Sequence, residues 1–155
     1  MLTRSLHEVA RTSISLILLV SVSFAVIIHD TVHYERPVTS IRGRVTGYGQ
    51  VVRAFWVDVY DNAKVCLDDA MPPVEKRKRQ TKVASVEPNE RGEFNIKHLP
   101  KGFYEVEFGN HGGGGYNELS VLVDVDPKGT NEKLCVDLGL ESGPGQNTAT
   151  KCGAR

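Results

Sequence analysis

At 155 residues the chain has room for one domain of about 100–120 residues beside a targeting segment. Lys plus Arg and Asp plus Glu stand at 19 each, so no global field draws the chain to nucleic acid or acidic lipid. No repeat at solenoid periods is visible, which sets aside the repeat architectures.

Residues 14–28 (ISLILLVSVSFAVII) are uncharged and largely apolar, with Arg4 and Arg11 before them and Asp30 after. A positive stretch ahead of an apolar one is the arrangement of a secretory signal. Ser23 and Ala25 place small residues two apart, so cleavage after Ala25 is the expectation. An uncleaved signal anchor is the alternative, since the run falls only somewhat short of the ~20 residues of a comfortable span. The third reading, a buried core helix, lacks the polar stripe such a helix would show. An N-terminal hydrophobic helix, signal peptide or anchor, is therefore expected over residues 1–29. Either way the arginines stay inside and the chain beyond residue 30 lies outside the cytoplasm, secreted, periplasmic or anchored. No Cys comes after the run, so lipid attachment is not indicated.

Residues 30–38 (DTVHYERPV) read as a short tether closed by Pro37. A strand is expected over 40–46, with Ile41, Gly43 and Val45 on one face and Arg42 and Arg44 on the other. Gly47 and Gly49 mark a turn. Residues 51–60 form a long β-prone run holding the only Trp, Trp56. Asp61-Asn62 breaks it, and residues 63–68 resume as a strand with Val65 and Leu67 inward and Lys64 and Cys66 outward. Residues 69–80 (DAMPPVEKRKRQ) read as a charged loop, 81–86 as another strand, and 88–92 as a turn.

The most informative stretch is 92–109, GEFNIKHLPKGFYEVEFG. Phe94 and Ile96 share one face of its first segment. Tyr104, Val106 and Phe108 share one face of the second, opposite Glu105 and Glu107. Period-two alternation gives each segment an apolar face for a core and a charged face for water. Pro100 and Gly102 turn the chain between them, as a β-hairpin or a β-arch. Residues 110–117 (NHGGGGYN) form a glycine-rich loop. Val121, Val123 and Val125 alternate in the next strand, Asp126-Pro127-Lys128-Gly129 is a turn, and Leu134, Val136 and Leu138 point inward from the last strand. Residues 140–155 read as a flexible tail. About seven short strands separated by turn signals, with no convincing helix after residue 30, predict an all-β antiparallel sandwich over residues 39–139.

The order of these features resembles the carboxypeptidase regulatory-like domain. Ile41, Gly43 and Val45 match its opening I-x-G-x-V strand. Gly92, Phe94, Ile96, Leu99, Pro100, Gly102, Tyr104 and Val106 match its G-x-F-x-I/L-x-x-L-P-x-G-x-Y-x-V core. Gly115-Tyr116 and the run Val121-Leu122-Val123 match its later Gly-Tyr step and Val-rich strand. The long run 51–60 departs from the family's short connection. The resemblance implies a seven-stranded Greek-key β-sandwich of prealbumin-like type, with a non-catalytic binding, accessory or spacer role on secreted and envelope proteins.

Candidate chemistry is sparse. The histidines have no H-E-x-x-H or H-x-x-E-H spacing and no Cys pair beside them, so no metal and no cofactor is expected. Asp68/Asp69 and Asp124/Asp126 lack the D-x-D-x-D-G loop of a calcium site. The glycine loop lacks the Gly-Lys-Ser/Thr of a phosphate cradle, and G-x-S-x-G is absent. No catalytic set is recognisable, and the chain reads as a non-enzyme.

Residues 75–82 (EKRKRQTK) are the one dense cationic patch, a solvated loop or a contact for a polyanion such as an acidic glycan or anionic headgroups. It has no interleaved aromatics for base stacking, which argues against nucleic acid. The ligand-contact candidates are Trp56, Lys76, Arg77, Lys78, Arg79, His111 and Tyr116, for a protein or carbohydrate of the cell envelope. The membrane is expected to be met only through an uncleaved N-terminal segment. Three cysteines in an oxidising compartment imply one bridge and one free thiol. Cys135–Cys152 would close the tail onto the last strand, while Cys66–Cys152 and Cys66–Cys135 stay open. Acidic neighbours at Asp68 and Asp69 argue for a structural rather than catalytic Cys66. The alternative function is a small hydrolase or metal-dependent enzyme on the same scaffold.

Overall fold

The computed structural model describes residues 30–111, 115–140 and 146–153. The hydrophobic helix expected over residues 1–29 lies outside the described residues, as do the centre of the glycine loop and residues 141–145. Among the described residues no helix is long and apolar enough to cross a membrane.

Among the described residues nine strands, where seven were expected, build two facing sheets. They are β1 (Asp30–His33), β2 (Ile41–Gly47), β3 (Phe55–Tyr60), β4 (Lys82–Val86), β5 (Glu93–Ile96), β6 (Gly102–Asn110), β7 (Leu119–Val125), β8 (Leu134–Leu138) and β9 (Thr148–Lys151). One sheet runs β1-β7-β6-β3-β4 and the other β5-β2-β8-β9. The all-β sandwich is as expected, but purely antiparallel pairing is not. β1 runs parallel to β7 and β2 parallel to β8. Both pairs join strands far apart in sequence, where turn signals carry no information about direction.

The core lies between the sheets. Val57 and Val59 of β3, Val106 and Phe108 of β6, and Val121 and Val123 of β7 face Ile41 and Val45 of β2, Phe94 and Ile96 of β5, and Val136 and Leu138 of β8. Each such side chain, fully buried, contributes about 1.5–3 kcal/mol of transfer free energy. The stretch 92–109 is a β-arch, because β5 belongs to one sheet and β6 to the other. Phe94 and Phe108 meet edge-on across the gap at 5.5 Å. Gly43 is required by close approach: a Cβ there would sit 1.7 Å from the Leu134 carbonyl oxygen of the neighbouring strand.

Four expectations are corrected. Residues 30–38 are not a tether: they carry β1, and Val38 bridges to Val125 and Thr130. Residues 63–68 are not a strand. Asn62 takes a left-handed φ of 53° and Ala63–Leu67 coils into a 3-10 helix. β3 already has β6 and β4 as neighbours, so the chain leaving it has no free edge to join and crosses the sheet's outer face. There it adds the short helix α1 (Pro73–Lys78), where a plain loop was expected. Within residues 140–155, β9 pairs with β8, and the Cys135–Cys152 bridge lies beside that pairing.

Candidate functional site

The outer face of the five-stranded sheet is built from the residues that alternate away from the core. Register places Thr31, Ser120, Glu107, Asp58 and Ser85 in one row across all five strands. The next row is His33, Leu122, Glu105, Tyr60 and Lys82. On an open sheet these side chains would be wet. Here Glu105 is 4%, Asp58 8% and Glu107 9% exposed, and Ser120 and Leu122 are fully enclosed. Residues 61–81, which join β3 to β4, fold over this face as a cap.

The cap is held by polar contacts, since α1 buries none of its own residues. Arg77 reaches down and bonds Glu107 through Nη2, which also stands 3.4 Å from Glu105 Oε2. Its guanidinium lies 3.8 Å over the centroid of the Tyr60 ring, in cation–π contact. Gln80 Nε2 donates to Glu105 Oε2 at 2.7 Å and Ser120 Oγ donates to Oε1 at 2.7 Å. The Cys66 thiol, from the 3-10 helix, donates to Glu105 Oε2 at 3.3 Å. Alongside, Lys82 bonds Asp58, and Ser85 Oγ donates to Asp58 at 2.6 Å. A cavity of about 460 Å³ opens between α1 and the sheet, lined by Thr31, Pro73, Val74, Arg77, Glu105 and Glu107 among others.

Two neighbouring carboxyls respond to this site in opposite directions. Burial raises Glu105, yet bonds from Ser120 and Gln80, the Arg77 charge and the Cys66 bond together hold it below its ordinary value. Burial pushes Glu107 up to about 7; Arg77 pulls it down, and the charges of Glu105, Glu118 and Asp58 push it further up. One cation near two carboxylates neutralises one of them well. Burial, and next the charge of Glu105, drive the Cys66 thiol up to about 12, the reverse of what a nucleophile needs.

The expected contacts do not form one surface. Lys76 and Arg77 line the cavity, and Lys76 Nζ donates to the Cys66 carbonyl at 3.1 Å. Lys78 pairs with Glu75 at 2.7 Å, and the Arg79 side chain is exposed. Trp56 lies half-buried across Gly109, where a Cβ would meet its ring at 2.3 Å. His111 is exposed, 3.6 Å from Glu87. Tyr116 packs edge-on against Phe55 at 5.3 Å and belongs to the end of the core. The Cys135–Cys152 bridge is present, with Cα atoms 4.9 Å apart, and Cys66 is free. Among the described residues no group of three His, Cys, Asp or Glu side chains could hold a metal ion.

Glu107, Asp58, Tyr60, Gln80 and Ser120 were invisible as site residues in the sequence. Glu-x-Glu alternation is what a solvated strand shows, and only the cap makes it different.

No protein-family model matches the chain, and no curated protein sequence matches it closely. Among solved structures it is similar to (S)-allantoin synthase, with a TM-score of 0.40 and 12% identity, over 74% of this chain and 45% of that one. The chain thus spans less than half the length of that protein.

Proposed function

We propose that the chain is an exported, non-catalytic β-sandwich module with a binding or structural role at the cell envelope or outside the cell. The observation that carries this reading is the Cys135–Cys152 bridge, which pins β9 to the rest of its sheet. Such bridges form and persist in oxidising compartments. The charged run-in and apolar stretch at the amino end agree with it, and so does the resemblance to carboxypeptidase regulatory-like domains.

The non-catalytic part is supported by how the outer-face groups are used. Glu105, Arg77, Gln80, Ser120 and Cys66 bond one another, and the thiol is protonated at any physiological pH. The test is non-reducing mass mapping of the chain isolated from its own host. A Cys135–Cys152 peptide pair with Cys66 free is the expected result, and three free thiols overturn export.

One observation favours a second reading, a small hydrolase. Glu107 lines a cavity and its carboxyl stands near 7, where a general acid or base works best. If Glu107→Gln abolishes a hydrolytic activity of the wild-type chain while the fold is kept, the enzyme reading replaces the first.

A further inference from the structure

The cap turns an unusual surface to the outside. Val74 is 67% and Leu67 57% exposed, the two most exposed large aliphatic side chains among the described residues. Pro72 and Pro73 beside Val74 are exposed as well. The last turn of α1 is cationic, with Lys76, Arg77 and Lys78, and Arg79 comes next. Asp68, Asp69 and Glu75 are the acidic side chains of this segment. Asp68 is turned back onto the Ala70 amide at 3.1 Å, and Glu75 pairs with Lys78. Apolar residues backed by cations are what an interfacial segment offers to a bilayer.

Position says what this surface faces. Thr31, the second residue of β1, lines the same cavity as Pro73 and Val74. The apolar run of the sequence ends at Ile28, three residues before Thr31. Three extended residues reach about 10 Å. With β1 seated in the sheet, an anchor in that run brings the lipid headgroups to the α1 side of the molecule.

We propose that the outer surface of the cap, Leu67, Pro73 and Val74 with Lys78 and Arg79, docks on an anionic lipid bilayer. The membrane is then met at two places, the N-terminal segment and the cap, and the domain lies against the bilayer. This rests on the export reading in its uncleaved-anchor form and goes beyond it.

The test uses the full chain reconstituted in vesicles of brominated phosphatidylcholine, with and without phosphatidylglycerol. V74W adds an indole at the surface, and the wild-type chain, whose only indole is Trp56, supplies the baseline. Bromolipid is expected to quench the V74W chain about twofold more than wild type, as for a side chain at the acyl boundary. Leu67→Asp in the V74W background removes that excess. Lys78→Gln and Arg79→Gln each lower the docked-to-undocked ratio about fivefold in phosphatidylglycerol vesicles, in line with the worth of one cation at such a surface. All four positions are exposed, so unchanged thermal unfolding checks that the fold is kept.

Quenching no greater than wild type, or quenching indifferent to phosphatidylglycerol and to both cation variants, overturns the proposal. Mass mapping of the same chain from its host separates the two failures. With the Cys135–Cys152 bridge present and the indole bright, only the docking falls. With the bridge absent, the export reading beneath it falls.

Discussion

The two sheets treat their inner faces alike and their outer faces differently. On the four-stranded sheet the outward residues Arg44, Glu93, Asn95, Thr148 and Thr150 are exposed, as alternation leads one to expect. On the five-stranded sheet the outward residues Asp58, Glu105, Glu107, Ser120 and Leu122 are buried. The local sequences are of the same kind. What differs is a connection of residues 61–81 that crosses one outer face, while among the described residues none crosses the other. A polar strand face is therefore solvated by default and becomes a site when another segment removes the water, at which point every charge needs a partner.

The largest expected effect sharpens the contrast between the two faces of β6. Phe108, fully buried in the core, should cost about 3–5 kcal/mol when changed to Ala. Thermal or denaturant unfolding reads this as a loss shared by the whole domain.

The inner face was legible because its signal is local. Tyr104, Val106 and Phe108 are buried as their spacing predicts, and Ile41, Gly43 and Val45 face the core side of β2 as expected. Of the three possible bridges, the one suggested to close the tail onto the last strand, Cys135–Cys152, is the one present. The cap was not legible. Val65 and Leu67 alternate like a strand, yet a strand there would need a free edge beside β3, and both edges of β3 are taken. Arg77 looked like one of four interchangeable cations. Its partners Glu105 and Glu107 lie about thirty residues away, and no local pattern pairs them. Parallel pairing of β1 with β7 was hidden for the same reason.

The four-stranded sheet depends on a covalent closure where the other has a cap. Replacing both Cys135 and Cys152 with Ser should remove about 3 kcal/mol on the chain-entropy account of a bridge of this span. Reducing the wild-type chain should lower the melting temperature to the same extent as the double substitution does.

Arg77→Ala leaves two buried carboxylates without their shared cation and should cost about 2–3 kcal/mol, in the range of hydrogen bonds to charged groups. Arg77→Lys should recover only part of it, because a point charge cannot fork between two carboxylates and stack on Tyr60 as a guanidinium does. Equal stability of wild type and Arg77→Ala would break the contrast, showing the cap to be decoration.

The subtlest prediction concerns pH. Glu107 stands at about 7 in the fold against an ordinary value of 4.5, so the folded chain binds its proton more tightly than the unfolded chain does. Stability attributable to Glu107 is then full below about 4.5, falls as pH rises toward 7, and is level above that. Glu105 acts in the other sense: its lowered value gives stability present at neutral pH and lost as pH falls through its folded pKa. In Glu107→Gln the decline with rising pH should flatten while the acid limb stays, and urea midpoints taken across the pH range would read both.

The central claim is that the outer face of the five-stranded sheet is sealed by a cap hooked on Arg77. Native-state hydrogen exchange of wild type against Arg77→Ala tests it most directly. Amides of residues 63–80 should lose protection in the variant while those of β6 and β7 keep theirs. Unchanged protection over residues 63–80, or an equal loss across the cap and both strands, would contradict it.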